Sequence, residues 1–121
     1  MATYVEINGN KYEASITGKL HDKDWDNRAS KAIKLKMGYA EALALFVDNI
    51  EWNIVQDIEV SREIEDEDGN IKVETVIEQE VYDNSDYSVA GVIMDHRDGT
   101  ITVKMGCLTA EELLSMFEGV L

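Results

Sequence analysis

The chain has 121 residues, 45% hydrophobic and 30% charged, which suits one soluble domain (1–121) with a modest core rather than a disordered tail. No apolar run reaches the length of a membrane span, and the opening MATYVEINGN lacks the basic-then-apolar form of a signal peptide. One cysteine, Cys107, excludes an intrachain disulfide, so the cytoplasm is the expected site of synthesis and folding. The net charge of −14 disfavours nucleic acid and anionic membranes as partners and favours cations or basic protein surfaces.

Tyr4–Ile7 and Tyr12–Leu20 alternate in polarity around Asn8-Gly9, the pair suited to a two-residue hairpin turn. After the polar loop HDKDWDNRAS, Ile33, Leu35 and Met37 alternate with Lys34 and Lys36, giving a third strand over Lys31–Met37. The period then changes: Ala40, Leu43, Ala44 and Val47 predict an amphipathic helix over Tyr39–Asp48. Strands follow at Glu51–Glu65, Ile71–Tyr82, Tyr87–Asp95 and Thr100–Met105, with Asp68-Gly69 and Asp98-Gly99 as turns. Thr109 and Glu112 form a T-x-x-E capping box for a last helix whose stripe is Leu113, Leu114, Phe117, Val120 and Leu121. The expected fold is α+β: a mainly antiparallel sheet of about six to seven strands with two short covering helices.

The chain repeats itself. Ile33/Ile101, Leu35/Val103, Lys36/Lys104, Met37/Met105 and Gly38/Gly106 align without a gap, and each K-M-G ends a strand that leads to a helix. This predicts a strand-loop-strand-helix unit used twice, as architecture: an apolar last residue and a glycine to turn the corner.

Two stretches carry candidate chemistry. Asp22, Asp24 and Asp26 alternate like the first ligands of a calcium loop, although Ile33 stands where the closing glutamate belongs. They predict at most a weak Ca²⁺ site, against a polar hairpin loop anchored by Trp25. The ribbon 51–82 is the second. With Asp68-Gly69 as a two-residue turn, one face is apolar and the other pairs Asp57 with Glu80, Glu59 with Glu78, and Glu63 with Glu74. Like charges directly opposite are destabilising, so such a face is expected to meet a basic partner. Catalytic patterns are missing: His21 and His96 lie near turns without a nucleophile motif, and Cys107 is a lone thiol at a strand-to-helix corner where a helix N-terminus could lower its pKa. An enzyme is not expected, nor a resident cofactor.

The segments DKDWDNRASKAI, YAEALALFVD, VYDNSDY and DHRDGTITVKMG resemble small uncharacterised proteins encoded among tail and baseplate genes of prophages in gut Firmicutes. The resemblance runs from about Tyr4 to Gly106. Those chains often carry W-G-G-R where this one has Trp25-Asp26-Asn27-Arg28, which would make the loop a matter of shape rather than of ligands. The resemblance implies a phage accessory or structural protein, made in the host cytoplasm or carried in the virion, and supplies no catalytic residue. Three readings stand: a tail- or baseplate-associated protein acting through contacts with itself or other phage tail proteins; an acidic nucleic-acid mimic occupying a basic host or phage protein; and a weak calcium-binding module.

Overall fold

The computed structural model describes residues 2–118, so Val120 and Leu121 lie outside the described residues. Seven strands form one antiparallel sheet in the order β5-β4-β1-β2-β3-β7-β6. They are β1 (Thr3–Ile7), β2 (Asn10–Asp22), β3 (Arg28–Leu35), β4 (Asn53–Glu65), β5 (Ile71–Asp83), β6 (Val89–Asp95) and β7 (Ile101–Gly106). Helices α1 (Tyr39–Leu45) and α2 (Ala110–Glu118) complete the order. With 56% strand against 14% helix the protein is mostly sheet, so the α+β expectation holds only in its coarse form.

The first hairpin forms as its sequence dictates. Asn8 and Gly9 both have positive φ (53° and 79°), the geometry whose twist matches two antiparallel strands, and Ile7 pairs with Asn10. Residues 10–13 of β2 pair with β1, and those from Ala14 onward pair with β3. β2 thus joins two halves of the sheet, and a single core draws on both. Val5, Ile7 and Ile54 come from one half, and Ile33, Leu35, Val103 and Met105 from the other. Trp52 lies in the same core, 1% exposed, and donates its indole N–H to Tyr87 O at 3.1 Å. An indole buried this deeply needs that partner.

The two repeated strands are neighbours. β3 and β7 pair antiparallel with Ile33 opposite Val103, Lys34 opposite Thr102 and Leu35 opposite Ile101. In the repeat, Ile33 corresponds to Ile101 and Leu35 to Val103. The copies are therefore related by a local two-fold axis through the Lys34–Thr102 pair. Each keeps its preceding strand on the outside, β2 beside β3 and β6 beside β7.

Both helices depart from expectation. In α1 the buried residues are Ala42 and the following Phe46, whereas Leu43 and Val47 are exposed. A two-turn helix reading YAEALAL offers two apolar stripes at helical spacing, and its seat over β6 and β7 selects the one that faces in. In α2 Leu113, Leu114 and Phe117 are 43%, 61% and 68% exposed, so the predicted buried stripe faces outward. Its first turn is anchored, but the apolar face lies over no strand among the described residues.

The β4–β5 register also differs. Asp68 has no positive φ, so Asp68-Gly69 cannot make a two-residue turn that needs it at both positions. Instead Asp66 N–H donates to Asn70 O at 2.8 Å, Gly69 N–H donates to Asp66 O at 3.1 Å, and Gly69 takes φ +78°. The Asp66 carboxylate fixes the loop by accepting from the N–H groups of Asp68 and Asn70. Three residues, Glu67 to Gly69, make the turn. An odd loop shifts the pairing by one, so Asp57 faces Gln79, Glu59 faces Ile77 and Glu63 faces Val73.

Cross-linking reads this register directly. In a Cys107→Ser background, Ser61→Cys with Thr75→Cys should close an intrachain disulfide, because these residues are paired. Ser61→Cys with Val76→Cys should stay reduced; the opposite result on non-reducing mass spectrometry would restore the two-residue turn.

Candidate functional site

β4 pairs with β1 over Asn53–Gln56, and Asp57 N–H donates to Ala2 O at 3.0 Å; beyond that, among the described residues, the β4–β5 ribbon has no third strand. Nine residues a side, at about 3.3 Å each, make an arm roughly 30 Å long. Its two faces have the same grammar. On the face continuous with the core, β4 carries Ile58, Val60 and Ile64 while β5 carries Glu74, Glu78 and Glu80. On the opposite face β5 carries the apolar row Ile71, Val73 and Ile77, beside Glu59, Glu63 and Glu65 of β4.

The predicted acidic face is thereby corrected. Asp57, Glu59 and Glu63 lie on one side of the arm and Glu74, Glu78 and Glu80 on the other, and none of the six faces another acid directly. The register separates like charges that a one-residue slip would have opposed. Arg62 pairs with Glu78, and Gln79 donates to Asp57 at 3.1 Å. The β5 row remains open, with Val73 70% exposed and Ile77 66%, whereas Ile58 and Val60 of β4 are half-buried.

The aspartate loop builds a different object. Trp25, Asp26, Asn27 and Arg28 form a tight turn closed by Arg28 N–H to Trp25 O at 3.1 Å, with Asp26 and Asn27 both left-handed (φ 56° and 58°). The turn lays Trp25 across the outer face of β6 and β7. There a Cβ on Gly91 would stand 2.7 Å from the indole, and one on Gly106 would stand 2.8 Å from it and 2.5 Å from Arg28 Cδ. The Arg28 guanidinium lies 4.8 Å from the ring centre of Trp25.

The two charges under this turn are both paired. Asp22, 1% exposed, accepts from Ser30 Oγ at 3.0 Å, from Asp24 N–H at 3.2 Å and from Lys104 Nζ at 2.6 Å. The Lys104 and Ser30 bonds hold its carboxyl below the usual range despite burial. Arg28 donates to Glu112 through both terminal nitrogens (2.7 and 3.2 Å) and to Cys107 O at 2.8 Å. Glu112 accepts in addition from Thr109 N–H at 2.8 Å, while its own N–H donates to Thr109 Oγ1, completing the capping box. Arg28 and these cap bonds lower the Glu112 pKa from 4.5 to about 2.

This geometry corrects three expectations. Asp22, Asp24 and Asp26 do not converge: Asp22 turns inward to Lys104 while Asp24 and Asp26 are exposed, and no group of three metal-ligating side chains occurs among the described residues. Neither K-M-G glycine has positive φ. Gly38 is open to solvent, whereas Gly106 makes room for Trp25 and Arg28. Lys36 is exposed but Lys104 is drawn into the Asp22 pair, so the copies share a backbone and not a chemistry. Burial, with Asp86 nearby, raises the Cys107 pKa instead of lowering it, so the thiol stays protonated at neutral pH. His96 is bonded to Thr102 Oγ1 at 2.7 Å. The Trp25 shelf itself left a trace in the sequence: a tryptophan in a tight hairpin loop with glycines in the strands that come to lie below it.

Comparison with protein-family models, with curated proteins and with solved structures gives no match.

Gly106→Ala should cost about 1–3 kcal/mol through overpacking and should move the Trp25 indole NMR signal. Gly38→Ala should cost under about 1 kcal/mol, as at a helix N-cap, and leave that signal in place. Glu112 and Asp22 both have folded pKa values below their unfolded ones. Their stabilisation is therefore present above about pH 4.5 and lost as pH falls toward 2. Urea midpoints measured between pH 5 and 2 should fall steeply, and Glu112→Gln should flatten that fall; an unchanged slope would remove Glu112 from it.

Proposed function

We propose that this chain is a non-enzymatic phage accessory or structural protein, associated with the tail or baseplate, whose projecting β4–β5 arm is its contact element. The observation that carries the reading is the exposure of the apolar row Ile71, Val73 and Ile77 on one face of an unsupported two-stranded ribbon. A lone hairpin is marginally stable in water, and contiguous exposed apolar surface of this kind marks a protein contact. The phage setting comes from the resemblance in the sequence. Asp26 and Asn27 lend it support: both occupy the left-handed region, where the resembled chains often carry two glycines.

The interleaving of acidic and apolar residues weighs against a nucleic-acid mimic, which needs a continuous run of charge. The commitment of Asp22 to Lys104 and Ser30 weighs against a calcium module. The chain should be found by mass spectrometry in purified phage particles. The Val73→Ser, Ile77→Ser double variant, which alters only exposed side chains, should be incorporated at least tenfold less. Equal incorporation of the variant would exclude the arm as the contact. Absence from particles, with salt-sensitive binding to a basic DNA-binding protein in infected cells, would establish the mimic instead.

A further inference from the structure

The acid of this protein is concentrated on the arm, while the outer face of the other half of the sheet is basic. Along β2, β3 and β7 the outward positions include Glu13, Ser15, Thr17, Lys19, Ala32, Lys34 and Thr102, and Lys36 continues the β3 row on the side of Glu13, leaving three lysines to one free acid. Lys19, Lys34 and Lys36 are exposed and form no salt bridge among the described residues. Asp22, the carboxylate at the end of this face, is already paired with Lys104. Asp98 of the β6–β7 turn, which also feels the Lys34 charge, is held by Thr100. Two strands from the Lys34–Lys36 row, across Thr102 of β7, β6 presents Val92 and Met94, 70% and 59% exposed. A basic row and an apolar row thus run along the strands, with Thr102 of β7 between them.

The outer face of the arm carries the complementary rows, on adjacent strands, and long lysine side chains can lean across Thr102 to meet them. Val73 and Ile77 of β5 run beside Glu63 and Glu59 of β4, which are their cross-strand partners. From this match we infer that the occupant of the arm is a second copy of this chain. The arm of one copy lies on the outer β2–β3–β7–β6 face of the next, with Glu59 and Glu63 against the Lys34–Lys36 row and Val73 and Ile77 against Val92 and Met94. The inference rests on the reading of the arm as the contact element and names its partner. Side-chain rows of two stacked sheets interdigitate at about 10 Å, and acid against lysine sets which face is chosen. Arm and receiving face lie on the same side of one sheet, at its opposite ends, so two copies can satisfy both contacts at once about a two-fold axis, each giving an arm and taking one.

Sedimentation of the full chain at low and high salt tests this. The wild type should exceed the monomer mass of 13.6 kDa and dissociate as salt is raised. An arm variant, Glu59→Lys with Glu63→Lys, and a face variant, Lys34→Glu with Lys36→Glu, should each be monomeric while melting within a few degrees of the wild type. Mixed in equal amounts, the two should reassemble, because reversed arm meets reversed face and native arm meets native face. A monomeric wild type, an arm variant that assembles like the wild type, or a mixture that stays monomeric each overturns the inference. Failure here with arm-dependent incorporation into particles would leave the arm a contact for another protein. Failure of both would remove the arm from function.

Discussion

The pairing of β3 with β7 is the constraint on which the rest of the molecule depends. It brings two copies of one sequence pattern together about a local two-fold axis and places Ile33, Leu35, Val103 and Met105 on one face to make the core. The same pairing sets Ser30 opposite Gly106, with Lys104 two residues along on the outward side. That arrangement, with Gly91 and Gly106 leaving room, lets Trp25 lie on the outer surface and gives buried Asp22 the cation it needs. A buried carboxylate without Lys104 and a buried guanidinium without Glu112 would each be costly, so loop, sheet and helix are tied by charges that cannot be separated.

Glu112 has two duties at once. It closes the capping box with Thr109 and neutralises Arg28, so the start of α2 is fastened to the hairpin loop eighty-four residues earlier in the chain. Beyond that first turn the helix shows its apolar residues to solvent. α1, its counterpart in the repeat, buries Ala42 and Phe46 over the neighbouring copy's strands. The symmetry of the strands therefore does not extend to the helices, and the duplicated K-M-G corners differ for the same reason: only Gly106 has an indole and an arginine above it.

The arm shows how one residue of loop length redistributes a surface. With a two-residue turn its acids would oppose one another on a single face. With three residues in the turn every acid meets a neutral, apolar or basic neighbour, and each face becomes half apolar and half acidic. A face made only of charge invites a polyanion-binding protein; alternating rows of apolar and acidic side chains suit a second sheet with a basic row.

Polarity alternation, the Asn8-Gly9 turn and the Thr109–Glu112 capping box were legible from the residues alone, because each depends on neighbours within a few positions. They located all seven strands, both helices and the existence of the repeat. The tertiary structure decided what those local signals cannot carry. The parity of the Glu67–Gly69 loop set which acids share a face. The pairing of β3 with β7 turned one of two equivalent lysines toward Asp22. The lack of a strand beneath α2 among the described residues left Leu114 and Phe117 in water. Each of these depends on what lies across from a residue, and that is fixed only when segments distant in the chain meet.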